Sequence, residues 1–259
     1  MSVVLATTHH DPEGLLYHQI QRTLPTLTAL FSAIAVRATQ VSQEHTIVAL
    51  IDAGAQVIQE ASDPIERLGH SRRGALQLAL QQDAPFLMFC DFDRVLHWAE
   101  FHPDELTQVI THIPLHDFTV LGRTERAFHS HPRIQSDTES IVNRVYASVS
   151  GRPWDVTAAA RGMSRTAATA ILDGCPDESI GTDVSWPLFV AQTSTLTLGY
   201  VETEGLEFET ADRYPDEVAA VGGKEPWNAQ LDADPHKWIQ RLELARIEVE
   251  ALLPYTQAR

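Results

Sequence analysis

The sequence predicts an α/β protein: a mostly parallel sheet flanked by helices, in three α/β/α layers. Three observations predict it. Between Val3 and Asp93, strand-like and helix-like segments alternate in the order β-α-β-α-β-α-β, and such alternation makes a parallel sheet covered by helices. The run Pro85-Phe86-Leu87-Met88-Phe89-Cys90 is short, apolar and uncharged, like a strand buried on both faces. The chain has 259 residues, 44% of them hydrophobic, enough for one large α/β domain or two small ones.

Val3 to Thr8 reads as the first strand. Asp11-Pro12-Glu13 opens a helix with Asp11 as N-cap and proline in the first turn. Leu16, Ile20, Leu24, Leu27 and Phe31 follow at helical spacing, and Pro25 is expected to kink or divide that helix. Ala33 to Thr39 is a second strand, Glu44 to Ala53 a helix ended by Gly54, and Gln56 to Glu60 a third strand. A helix within Ile65 to Gln82 turns Leu68, Leu76 and Leu80 inward before the strand at Pro85. After Pro103 a helix runs to about Ile113, and Asp117 to Gly122 is another strand. The stretch Arg123 to His131 is polar. Ser140 to Val149 is helical, Thr157 to Met163 a strand, and Ser164 and Thr182 cap two further helices, with Pro187 bending the second. Thr195 to Glu209 reads as mainly strand and Glu209 to Ala233 as irregular. Asp234-Pro235 starts a last helix with Trp238, Leu242, Ala245, Val249 and Leu252 as its buried stripe.

Lysine and arginine total 19 against 35 aspartates and glutamates, a net charge of −16. That argues against a nucleic-acid binder, which needs a basic footprint. Any phosphate-bearing ligand then needs local help from a metal or a few arginines. Cys90 and Cys175 are the only cysteines. Two widely spaced thiols, one in a core strand, suit a reducing, cytoplasmic setting rather than a disulfide scaffold. The start Met1-Ser2-Val3-Val4-Leu5 reads as a first strand rather than a signal peptide, and no apolar run is long enough to span a membrane.

The most informative feature is Asp91-Phe92-Asp93, directly after the apolar run. Two carboxylates at the tip of a buried strand are costly unless something positive meets them. In extended backbone, residues two apart point the same way, so Asp91 and Asp93 would face one cation while Phe92 turns into the core. Oxygen-only ligands suit Mg²⁺ or Mn²⁺, which keep some waters and share their sites with substrate phosphates. The competing reading is that both aspartates simply end the strand and cap the next turn. Ligands of parallel sheets bind beyond the carboxyl ends of the strands, and Thr7-Thr8-His9-His10 is expected at that same edge.

Two stretches carry a resemblance. Gly69-His70-Ser71-Arg72-Arg73-Gly74-Ala75-Leu76-Gln77-Leu78-Ala79, followed by Phe86 to Asp93, resembles the core of GT-A fold glycosyltransferases, whose Rossmann-like sheet carries a D-x-D at the end of an apolar strand. Glu178-Ser179-Ile180-Gly181-Thr182-Asp183-Val184-Ser185-Trp186-Pro187-Leu188 is similar to the segment holding the acidic catalytic residue in family-2-like members. The resemblance covers roughly residues 1 to 210, in order and spacing. It implies a nucleotide-sugar transferase that uses Mg²⁺ or Mn²⁺ and passes a sugar to an acceptor. Residues 1–122 would form the nucleotide-sugar half and 123–259 the acceptor half of one continuous domain. Asp91 would contact the ribose or the metal, Asp93 the metal, and Asp183 would be the base. Thr7, Thr8, His9 and Arg73 would meet the nucleotide, and His236 would be the late metal ligand, with Asp212 an alternative. In Arg73-Gly74-Ala75 the glycine stands where the family often has asparagine.

Arg72, Arg123, Arg161 and Lys224 are further candidates to meet phosphate or an anionic acceptor. Gly222-Gly223-Lys224 reads as a flexible lid, because no Ser or Thr follows to make a P-loop. Trp154 and Trp186 suit either a sugar platform or the core. His129-Ser130-His131 has the alternate spacing of a metal pair but reads better as a mobile loop over the site. Three other functions remain open at this point. A nucleotidyltransferase would open with a glycine-rich loop, and Thr7 to Gly14 has only Gly14. A non-catalytic nucleotide- or sugar-binding protein would keep Asp91 and Asp93 without a base. A metal hydrolase would use His9-His10-Asp11 with His129 and His131.

Overall fold

A computed structural model describes residues 2–256; Met1 and residues 257–259 lie outside it. The first half reads β1 (Val3–His9), α1 (Tyr17–Leu30), β2 (Ala33–Thr39), α2 (Glu44–Asp52), β3 (Gln56–Glu60), α3 (Leu68–Ala79), β4 (Phe86–Cys90), α4 (Phe92–Phe101), α5 (Pro103–His112). The second reads β5 (Phe118–Arg123), α6 (Glu125–His129), α7 (Arg133–Ser150), β6 (Ala160–Ser164), α8 (Arg165–Gly174), α9 (Thr182–Gln192), β7 (Leu198–Thr203), α10 (Pro215–Ala220), α11 (Lys224–Asp232), α12 (Pro235–Glu250). One seven-stranded sheet runs through both halves in the order β3-β2-β1-β4-β6-β5-β7. Only β6 runs against its neighbours β4 and β5. The predicted α/β class and mostly parallel sheet are present.

Strand side chains alternate between the two faces, and the two cores follow that alternation. Val3, Leu5, Met88 and Cys90 join α1, α2, α4 and α5 on one face. Val4, Ala6, Leu87 and Phe89 join α3, α7, α8, α9 and α12 on the other. No helix among the described residues is long and apolar enough to cross a membrane.

Several boundaries differ from expectation, each for a local reason. Asp11 accepts the backbone N–H of Leu15 and Leu16 at 3.0 and 2.9 Å, so it caps the turn that leads into α1 rather than the helix itself. Pro25 lies inside an α1 that runs unbroken. Helix α4 was not expected. It is buried nearly all round, with Arg94 and His97 on its inner faces, and those polar residues hide its periodicity. Helix α7 begins at Arg133 instead of Ser140, and β7 is far shorter than Thr195 to Glu209. Glu209 to Ala233 is not irregular: it holds α10 and α11 around a small cluster of Phe208, Ala211 and Trp227. On α12, Ala245 is buried but Leu242 is 51% exposed, and Glu248 takes an inward position instead.

Candidate active site

The register of β1 on β4 pairs Ala6 with Phe89. Two residues further along each strand, Thr8 therefore comes beside Asp91, and its hydroxyl donates to Asp91 Oδ1 at 3.0 Å. Thr8 is also paired with Arg37 of β2. Arg37 is almost fully buried and is held by Glu60, Asp63 and Ser71. Thr8, His9, Arg37, Asp91, Asp93 and Arg213 are among the residues lining an open cavity of about 510 Å³ at the carboxyl ends of β1, β2 and β4.

Asp91 and Asp93 reach this cavity, but not on one extended face. The strand ends at Cys90, Asp91 takes the N-cap position of α4 (φ −59°, ψ 141°), and Asp93 lies in the first helical turn. The strand periodicity therefore stops before Asp93 and does not align the two carboxylates. Phe92 packs in the core as expected. Asp93 Oδ1 accepts the Arg94 N–H at 3.0 Å, and Oδ2 accepts the Arg213 guanidinium at 2.7 Å.

Arg72 is the centre of the site. It donates to Thr182 Oγ1 at 3.0 Å and Asp183 Oδ1 at 2.8 Å, and lies 3.5 Å from Asp91 Oδ2. The docking of α3 sets this arrangement. The His70 N–H donates to the Glu178 carbonyl at 2.9 Å. A methyl group on Gly69 would come within 2.2 Å of the Ser179 carbonyl oxygen, so only glycine lets α3 pack this closely on the loop before α9. Asp183, in the first turn of α9, also stands 3.5 Å from Arg161. Burial pushes its carboxyl upward, against the pull of Arg72 and Arg161. A second, more enclosed cavity of about 130 Å³ lies behind this group, lined by Arg72, Asp91, Glu139, Asp183, Arg241 and Glu248 among others.

The remaining predicted residues divide. Thr7 is fully buried and does not line the cleft, because strand alternation turns it away from Thr8. His9 lines the cleft with its ring edge-on to Phe92 at 5.4 Å. Burial lowers its pKa to about 4, and neither ring nitrogen meets a partner among the described residues. Arg73 points away: it donates to the carbonyls of Ile171, Leu172 and Cys175 and so closes the C-terminal end of α8. His236 is exposed in the first turn of α12 and lines neither cavity. Asp212 pairs with His97 and Lys224 and does not line the cleft beside Asp91 and Asp93.

His129-Ser130-His131 is no mobile loop: His129 ends α6, and buried His131 turns Nδ1 to the Ala127 carbonyl at 3.0 Å. Trp186 packs on Phe89 in the core, and Trp154 stacks on Tyr200. Gly222 and Gly223, with φ of 93° and 125°, form the turn between α10 and α11. Sequence reasoning missed Arg213, Arg37 and Glu209. Of these only Arg37 carried a signal, as a charge inside the apolar strand Ala33 to Thr39.

The strand order, the single reversed strand and the aspartates after β4 define a class: the chain has the GT-A glycosyltransferase fold. Among solved structures it is similar to glucosyl-3-phosphoglycerate synthase from Mycobacterium tuberculosis in complex with Mn²⁺, UDP and phosphoglyceric acid. The TM-score is 0.53 at 13% identity, over 93% of this chain and 78% of that one. The same enzyme with phosphoglyceric acid gives a TM-score of 0.52 at 15% identity, over 93% and 80%. No protein-family model and no curated protein matches the sequence.

Proposed function

We propose that this protein is a metal-dependent glycosyltransferase that moves a sugar from a nucleotide-sugar donor to a hydroxyl acceptor. The observation that carries the reading is the meeting of Thr8, Arg72, Asp91, Asp93 and Arg213 around one cavity at the carboxyl edge of a GT-A sheet. The M. tuberculosis enzyme of the same fold holds Mn²⁺ and UDP in its crystal, and a cavity of about 510 Å³ has room for such a donor.

Asp91 and Asp93 fit a hard divalent cation. They offer only oxygen donors, and their side chains are 27% and 21% exposed, as Mg²⁺ or Mn²⁺ sites require. Buried Glu209 has a carboxylate oxygen, Oε2, without a hydrogen-bond partner among the described residues. Burial raises its pKa against the pull of Arg94, and the Asp93 charge adds to the rise. When bound, the cation would offset charge developing on the departing nucleoside diphosphate.

The chain's own groups do the rest. Thr8 and Arg72 fix Asp91. Arg213, once released from Asp93, meets the diphosphate as a second positive charge. Asp183 takes the proton of the acceptor hydroxyl, which enters the inner cavity that Asp183 shares with Arg72 and Asp91. Residues 1–122 supply most of the donor site, with Arg213 reaching in from 123–259, which also supply the base and the acceptor surface. Turnover tests the reading: with Mn²⁺ and a UDP-, GDP- or ADP-sugar, wild type releases the nucleoside diphosphate. Asp183→Asn should bind the same nucleotide unchanged and turn over about 100-fold more slowly or worse. No release from any donor contradicts the transferase reading, and full turnover by Asp183→Asn contradicts the base.

A further inference from the structure

One turn beyond Asp93 on α4, His97 joins His102 and Glu207, and the three bring ligand atoms within 4.8 Å of one another. Glu207 Oε1 lies 3.0 Å from His102 Nε2 and 3.3 Å from His97 Nε2. In a tetrahedral zinc site with bonds of about 2.0–2.1 Å, neighbouring ligand atoms stand about 3.3 Å apart, so the spacing is already close to that of a ligand set. His97 Nδ1 is 2.5 Å from Asp212 Oδ2. A proton held there leaves the Nε2 lone pair aimed at His102 and Glu207, the arrangement by which a carboxylate orients a metal-binding histidine. Arg126 occupies Glu207 Oε2 at 2.5 Å, which leaves Oε1 as a single donor. His97 is 2% exposed, His102 28% and Glu207 21%, so the cluster has a fixed floor and an open mouth.

We propose that His97, His102 and Glu207 form a second metal site, for a cation of the Zn²⁺ type, with Asp212 orienting His97. Two imidazole nitrogens, one carboxylate oxygen and an open fourth position are one of the sets that zinc takes, whereas Mg²⁺ prefers oxygen alone. The ligands join the α4–α5 junction to the segment after β7. Arg213, which meets Asp93, directly follows Asp212, so the cation would fasten the segment that carries Arg213 onto α4.

The test is Zn²⁺ binding by the full chain after chelator treatment, read by calorimetry, with Co²⁺ absorption to report geometry. Wild type should bind one Zn²⁺ at this cluster. His102→Ala should weaken it about 100-fold, and Asp212→Asn about 10- to 100-fold, while Asp93→Ala leaves it unchanged. His102 is half-buried at a helix junction, so matching circular dichroism and melting of the metal-free proteins separates lost metal from lost fold; Asp212→Asn provides a second, milder variant. Wild type that binds no Zn²⁺, or binding that survives both His102→Ala and Asp212→Asn but vanishes in Asp93→Ala, overturns the site.

Discussion

Asp91→Ala is expected to weaken Mn²⁺-dependent nucleotide binding at least about 100-fold, about 2.8 kcal/mol, with little loss of stability. Three structural features meet at Asp91. It follows the buried strand β4, it accepts the Thr8 hydroxyl, and it faces Arg72. Removing it deletes one oxygen donor of the proposed cation site and takes one of the two carboxylates from Arg72, which keeps Asp183 and Thr182. The fold should tolerate the change because the side chain is 27% exposed, and the lost Thr8 bond is worth about 1 kcal/mol. Calorimetric titration with Mn²⁺ and nucleotide, alongside urea unfolding, separates the two effects. Unchanged binding by a folded Asp91→Ala protein would remove Asp91 from the site.

Arg123→Met should have the largest effect on stability, about 3–5 kcal/mol. The Arg123 side chain is fully buried at the end of β5. It donates to both oxygens of Asp155 at 2.8 and 3.0 Å, to Glu139 at 2.7 Å and to Thr157 at 2.8 Å. Its guanidinium also lies over the Phe128 ring at 4.5 Å. Methionine fills much of the volume but removes the main cationic partner of two buried carboxylates, leaving Asp155 with neutral donors and Glu139 with Thr157 and the more distant Arg241. At roughly 2–4 °C per kcal/mol for a chain of this size, the melting temperature should fall by on the order of 10 °C.

The same network sets an acid limit. Burial alone would raise the Asp155 carboxyl, yet Arg123 holds it well below the usual carboxylate range. A depressed folded pKa stabilises the protein above the unfolded carboxylate value near 3.9, and that contribution is lost as pH falls below it. Wild type should therefore lose stability progressively below about pH 4. Arg123→Met should flatten that dependence. An Arg123→Met protein with wild-type melting and wild-type acid sensitivity would contradict this account of the network.

The parallel half of the fold was legible because β1 to β4 and the helices between them each carry one clear period. Ile20, Leu24 and Leu27 on α1 are buried where their spacing puts them. Helix α4 was not legible, since His97 and Arg94 are buried by pairing with acids from distant segments, and local sequence does not contain those partners. The placement of Asp91 and Thr8 at the cavity was legible, because strand register brings them together. It was misread between Arg72 and Arg73. Adjacent helical residues point about 100° apart, and what decides between them is the rotation of α3, set by the contact of Gly69 with Ser179. Arg213 was invisible for a related reason: its short 3₁₀ turn, Thr210–Arg213, is held by tertiary contacts rather than by any sequence period.

The most direct measurement is calorimetric binding of UDP, GDP, ADP and CMP to wild type, each with and without Mn²⁺. The account predicts that one nucleoside diphosphate binds, that Mn²⁺ strengthens it at least about tenfold, or about 1.4 kcal/mol, and that Asp93→Ala abolishes the strengthening. Binding of none of the four, with or without Mn²⁺, would contradict the claim that the carboxyl edge of this sheet is a nucleotide-sugar site.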